Sequence, residues 1–197
     1  MAEWIEDEVL RGQDLYAEEL VGRAYLRCEF HDCDLSEAAT RNAVFEECSF
    51  TGVRFNVSRH TDTAFLRCSF DRCDFFDAEF TGCKLTGSRF RGSALGSVRV
   101  LGGDWSFVSL ADADLRRSSF RDARMREADL TAADCRDAAL TDSDLSGAQF
   151  DRARLARCDL RGSDLTALDP LSAEVSGAVI DAPQAVVLAH ALGLQVR

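Results

Sequence analysis

The 197-residue sequence is short of several things at once. It has two prolines and three histidines. No histidine stands at a fixed spacing from a nucleophile or a carboxylate pair, so the usual marks of a catalytic site are missing. No apolar run approaches the twenty or so residues that a membrane-crossing helix needs. The opening MAEWIEDEVL has neither the basic nor the apolar segment of an export signal, and a soluble, cytoplasmic protein is expected. Glycine-rich phosphate loops are absent as well. Positive charge is in deficit, with 23 Lys and Arg against 34 Asp and Glu and a formal net charge of −11, which disfavours direct binding to nucleic acid. These absences together argue against an enzyme and imply no cofactor.

What is present is a repeat, and repeats decide the fold before any local reading does. From Gly22 to Phe90 every fifth residue is large and apolar: Tyr25, Phe30, Leu35, Phe45, Phe50, Phe55 and onward, with few exceptions. Two positions earlier stands a small residue, as in Cys28, Cys33, Ala38, Ala43 and Cys48. Eleven of the thirteen phenylalanines occupy the large slots and seven of the eight cysteines the small ones. A period of five matches neither a helix nor an ordinary strand. It requires a chain that turns a corner every five residues and sends one large and one small side chain inward per side. Four sides make a coil of twenty, and coils stack at roughly 4.8 Å.

The cysteines follow the same geometry. Cys28, Cys48 and Cys68 are twenty apart and should form a ladder along one inner edge. No four ligands converge as a zinc site demands, and a cytosolic setting disfavours disulfides, so buried free thiols and no metal site are expected.

This pattern resembles the pentapeptide-repeat family, in which a small residue, Asp or Asn, and Leu or Phe recur every five residues. The resemblance covers about residues 20 to 180 and implies an all-β solenoid, a right-handed quadrilateral parallel β-helix. Residues 1–21, net −6, read as an acidic N-terminal cap or irregular first coil, 22–180 as the β-helix, and 181–197 as a C-terminal helix and tail. For that helix Asp181 is the expected N-cap, Pro183 suits the first turn, and Gly193 suits the C-cap. The register never slips before Leu165, so projecting loops are not expected. Two places look irregular. Thr40 and His60 put polar groups into a large column, and Gly102–Gly103 stand beside Trp105.

The C-terminal half, with VLGGD, TDSDLSGAQF and QAVVLAHALGL, is similar to the MfpA/Qnr-type group within the family. That resemblance implies a DNA-mimicking rod that binds and inhibits DNA gyrase, a type II topoisomerase, and protects it from quinolone-type poisons. It also implies a homodimer through the C-terminal end, with Val186, Val187, His190, Leu192 and Leu194 at the interface. Asp122, Asp134, Asp137 and Asp142 are the expected partner-binding acids on the outer surface. Charge density alone does not make the mimic. About eight coils per protomer give a dimer near 80 Å, whereas duplex DNA of that length carries about 47 phosphates; twice −11 is only −22. The alternative reading is an interaction scaffold or self-immunity protein acting on another partner, for which the outward Leu26, Leu66, Phe76 and Phe107 would suit a surface.

Overall fold

The computed structural model describes residues 4–197. The chain winds into a four-sided parallel β-solenoid closed at its C-terminal end by one short helix, Ala182–Ala191. Each turn of the solenoid takes twenty residues. On the first face Trp4 pairs with Ala24 and the ladder runs on through Val44, Ala64, Lys84, Asp104, Arg124 and Asp144. The second face starts at Val9–Arg11 against Glu29–His31, and the third is a column of single bridges from Asp14 to Glu174. The fourth starts at Glu19–Val21 against Ala39–Arg41 and carries a seven-stranded sheet. From Trp4 onward the first coil holds strands in register with the next, while its small slots Glu8, Gln13 and Glu18 are exposed.

Every large slot from Leu20 to Leu165 is buried, including Thr40 and His60. In-register stacking sets side chains of one column at the coil spacing, which is also the spacing at which aromatic rings stack. Phe30, Phe50, Phe70 and Phe90 lie 4.7–4.9 Å apart with nearly parallel planes. Neighbouring columns meet edge to face, as Phe50 does with Phe55 and Phe65. Each ring contributes roughly 1.5–3 kcal/mol by burial and each favourable ring pair about 0.5–1.5 kcal/mol more.

The corners come in two kinds. In a closed corner the N–H of the small-slot residue donates to the carbonyl of the preceding large-slot residue, as Ala38 does to Leu35 at 3.1 Å. In an open corner that bond is not made, and the large-slot residue instead centres a three-residue strand, as Phe30 and Phe50 do. Both kinds place the residue two beyond the large slot at positive φ, from Asp7 and Gly12 through Asn42 to Gly162. Gly, Asn and Asp tolerate that left-handed conformation best, which accounts for their abundance at this position.

The thiols answer to the open corners. Cys28, Cys33, Cys48, Cys68, Cys73 and Cys83 all follow open corners, and each sulfur donates to the large-slot carbonyl one coil below, for example Cys68 Sγ to Phe45 O at 3.3 Å. All eight cysteines are free and buried. Desolvation pushes Cys83 up to about 11 and Cys73 and Cys158 to about 12, so they persist as thiols. Serine replaces the missing bond more completely. Ser88 Oγ accepts the N–H of Cys68 at 2.9 Å and donates to Phe65 O at 2.8 Å. It bridges the two groups that a closed corner would join directly.

His60 points into the core. Ser58 Oγ already donates to Phe55 O at 2.6 Å, so it accepts from His60 Nε2–H at 2.9 Å, and Nδ1 faces Thr40 Oγ1 at 2.8 Å. The buried polar groups satisfy one another, and burial drives the imidazole pKa down to about 3. Gly103 is required by its neighbour: a Cβ there would lie 2.1 Å from the Cys83 carbonyl oxygen. Near the C-terminus Pro170 fails as a core residue, and Leu168, in a small slot, is buried in its place while Leu171 is exposed.

Candidate partner-binding surface

Aspartates recur at two outer positions, and the fold treats them differently. Those directly before a large slot serve the backbone. Asp114, Asp129, Asp134, Asp144, Asp159 and Asp164 each accept, through Oδ1, the N–H of the residue two further on, at 2.9–3.3 Å. All six precede closed corners, where that N–H is otherwise free. Those two residues past a large slot, including Asp122, Asp137 and Asp142, occupy the left-handed corner and direct their carboxylates outward.

The four acids expected to meet a partner therefore divide. Asp134 is held by three arginines, with Arg136 at 2.6 Å, Arg154 at 3.2 Å and Arg116 at 3.9 Å. Its side chain is only 17% exposed, and the Arg136 hydrogen bond leads in keeping its pKa below the usual carboxylate value. Asp137 makes a two-pronged bond to Arg157, at 2.7 Å on both oxygens, and that guanidinium lowers its pKa too. Asp142 is half exposed, with Arg121 no nearer than 3.7 Å. Its carboxylate rests over Gly162 of the next coil, where any Cβ would meet it at 2.2 Å. Asp122 is exposed and, among the described residues, makes no ion pair. The two pairs lie on different faces: Asp122 and Asp142 stack along the edge between the fourth and first faces, whereas Asp134 and Asp137 belong to the third.

The sequence reading missed the arginines that neutralise Asp134 and Asp137. The signal was available as twenty-residue spacing, since Arg154 lies twenty from Asp134 and Arg157 twenty from Asp137. Elsewhere the same spacing joins Asp7 to Arg27 at 2.7 Å and Asp34 to Arg54 at 2.7 Å. Such exposed pairs contribute little stability, but they cancel surface charge.

The C-terminal helix has one face on the solenoid. Asp181 and Gln184 form a reciprocal capping box. The buried Gln184 amide also donates to Leu160 O at 2.6 Å and Ser163 O at 2.7 Å, satisfying carbonyls at the end of the last regular coil. Leu188, one turn on, packs against the core. On the remaining surface Val186, His190, Leu192 and Leu194 are exposed and Val187 is half-buried.

Among the described residues no helix is long and apolar enough to cross a membrane, and no group of His, Cys, Asp or Glu could hold a metal ion. No curated protein sequence matches the chain. Among solved structures it is similar to trypsin-treated QnrB1, a plasmid-mediated fluoroquinolone resistance protein, with a TM-score of 0.69 and 22% identity over 100% of this chain and 98% of that one. Full-length QnrB1 gives 0.62 and 21% over 98% and 100%. HetL, a pentapeptide repeat protein involved in heterocyst differentiation regulation in the cyanobacterium Nostoc, gives 0.57 and 20% over 88% and 86%. These likenesses show the fold. The family model for the pentapeptide repeat region matches residues 24–100 and 73–150, well over half of the sequence, and the chain belongs to the pentapeptide-repeat family.

Proposed function

We propose that this chain is a DNA-like rod that binds DNA gyrase in the cytoplasm, inhibits it and protects it from quinolone-type poisons. The observation that carries the reading is the edge where Asp122 and Asp142 stand one coil apart, on a solenoid without projecting loops. A protein surface that holds duplex DNA is shaped and charged for anions along a rod, and this edge offers two of them on adjacent coils. The likeness to QnrB1 supports the reading at the level of fold. Asp134 and Asp137, held by arginines, contribute shape more than charge.

The rod doubles its length if two copies meet at their C-terminal ends, with Val186, Val187, His190, Leu192 and Leu194 across a two-fold axis. Gln184 and Leu188 already face the protomer's own last coil, so the opposite side of the helix is free for the second copy, and a two-fold contact closes the assembly rather than propagating it.

The test is a gyrase supercoiling assay with purified protein, with and without ciprofloxacin. Wild type should inhibit supercoiling. The double variant Asp122→Asn and Asp142→Asn, which keeps residues that tolerate the left-handed corner, should weaken inhibition and flatten its salt dependence. Equal inhibition by the Asp134→Asn, Asp137→Asn pair is expected. Failure of wild type to affect gyrase would leave the family's generic role as an interaction scaffold.

A further inference from the structure

Two phenylalanines lie outside the core columns, Phe76 and Phe107, and both are 55% exposed. They are not equivalent. Phe107 occupies a left-handed corner with φ of +59°. For a bulky side chain that conformation is an outlier, sustained only because the surrounding coils impose it. The same corner one coil below is Gly87, and two coils above it is Gly147. Glycine would relieve the strain and the ring adds nothing to the core, so the fold itself has no need of Phe107.

The ring borders a groove of about 790 Å³ that Asp104, Ser106, Arg124, Arg126 and Glu127 help to line. The groove's charges are unevenly committed. Arg126 lies 3.0 Å from Asp144 and donates to Ser146 Oγ at 3.1 Å. Arg124 makes no ion pair among the described residues and stands on the rung beside Asp104. Asp104 accepts one bond, from Ser106 N–H at 3.0 Å, and neither it nor Glu127 makes an ion pair among the described residues. An exposed aromatic face sharing a groove with two carboxylates free of ion pairs fits one chemistry well: a planar cation that stacks on the ring and forks onto a carboxylate.

We infer that the groove at Phe107 docks an arginine side chain from a partner protein's basic surface. The inference rests on the proposed function only for the class of partner, since surfaces that hold DNA are rich in arginine. Lysine has the charge but lacks the planar fork, so the site should prefer arginine.

The experiment titrates the full chain with blocked hexa-arginine and hexa-lysine peptides at equal ionic strength, following the phenylalanine ring signals by NMR. Wild type should bind the arginine peptide more tightly and shift the Phe107 ring. Phe107→Gly should lose about 2- to 5-fold in arginine affinity, the worth of an exposed cation–π contact, and abolish the preference over lysine. Its melting temperature should equal or exceed that of wild type. Phe107→Tyr should keep the preference, and Glu127→Gln should reduce it. An unchanged preference in Phe107→Gly, no preference in wild type, or a lower melting temperature for the glycine variant each overturns the inference. The supercoiling assay separates the two readings. Gyrase inhibition that is identical in wild type and Phe107→Gly removes the docking site and leaves the gyrase reading intact. A Phe107-dependent arginine preference in a protein that leaves gyrase unaffected keeps the docking site and assigns it to another basic partner.

Discussion

The N-terminal and C-terminal halves of the rod share one register but solve the corner differently. Up to Phe65 on the first face, Phe90 on the second and Leu140 on the fourth, corners are open and carry three-residue strands. Beyond those points, at Leu85, Leu110 and Leu160, the corners close, while the third face is closed from Leu15 onward. The small slots change accordingly. Open corners leave the small-slot amide without its turn bond, and Cys, Ser or Thr side chains collect there. Closed corners make that bond, and alanine suffices at Ala128, Ala133, Ala138, Ala148 and Ala153. Cysteine abundance thus reflects backbone chemistry, not redox or metal chemistry. The cost of an unpaired buried backbone group, about 1–3 kcal/mol, is large enough to shape the composition of a column.

The boundary between the halves is the most sensitive place to break. Gly103 follows an open corner and precedes Trp105, and its φ is +90° with the Cys83 backbone where a Cβ would stand. Backbone cannot move aside as a side chain can. Gly103→Ala should therefore cost about 3 kcal/mol or more, measured by denaturant unfolding, and an unaltered midpoint would mean that the coils can separate locally.

Acid should act next most strongly, and on the aromatic half. His60 is neutral when folded, with its pKa pushed down to about 3 by burial, whereas an unfolded histidine titrates near 6.5. Between those values the unfolded chain binds the extra proton, so stability falls as pH falls from about 6.5 toward 3, by about 1.4 kcal/mol per unit. His60→Phe should flatten that slope, since Thr40 can turn to Thr63 at 2.8 Å and Ser58 keeps Phe55 O. The arginine-held carboxylates, such as Asp34 at about 2, withdraw their contribution only below their unfolded values near 3.9. Unfolding curves from pH 7 to 3.5 separate the two windows.

Exchanging residues within one column tests how locally the core size is set. Phe70 and Leu130 both belong to the second face, one at an open corner and one at a closed corner. Phe70→Leu loses stacking on Phe50 and Phe90, whereas Leu130→Phe overpacks a coil built around alanine. Each should destabilise by about 1–3 kcal/mol. Free tolerance of Leu130→Phe would show that corner type adapts to the side chain instead of constraining it.

Much of this fold is legible in the sequence. The columns, the coil of twenty, the inward-pointing registers and the helix with Asp181, Pro183 and Gly193 at its ends follow from spacing and capping chemistry. Corner type was not legible, because open and closed corners share the same five-residue pattern and differ in one hydrogen bond. For the acidic surface, periodicity located the aspartates but could not say which were neutralised: that depends on an arginine twenty residues away, on rotamers and on the face. Asp134 and Asp142 look alike in sequence and differ only when the coils are stacked.

The smallest effect expected discriminates best between the two corner types. Ser88 and Ser118 are both buried small-slot serines. Ser88 serves two groups of the open corner beneath it, the amide of Cys68 and the carbonyl of Phe65. Ser118 follows a closed corner, donating to Leu115 O at 2.6 Å although its own N–H already bonds that carbonyl at 3.0 Å. Removing the Ser118 hydroxyl orphans nothing, since the amide remains on the carbonyl. Removing the Ser88 hydroxyl leaves a donor and an acceptor unpaired inside the wall. Ser88→Ala should cost about 1–2 kcal/mol and Ser118→Ala about 0.5 kcal/mol or less. Ser88→Cys should recover part of the loss, because a thiol is a weaker donor that six open corners in this chain already use. Amide hydrogen exchange at Cys68 supplies the local readout, with faster exchange expected in Ser88→Ala and partial protection in Ser88→Cys. Equal costs for the two alanine variants, with Cys68 exchange unchanged, would mean that the open corner draws its stability from the strands alone, and the assignment of the small slot to backbone repair would fail.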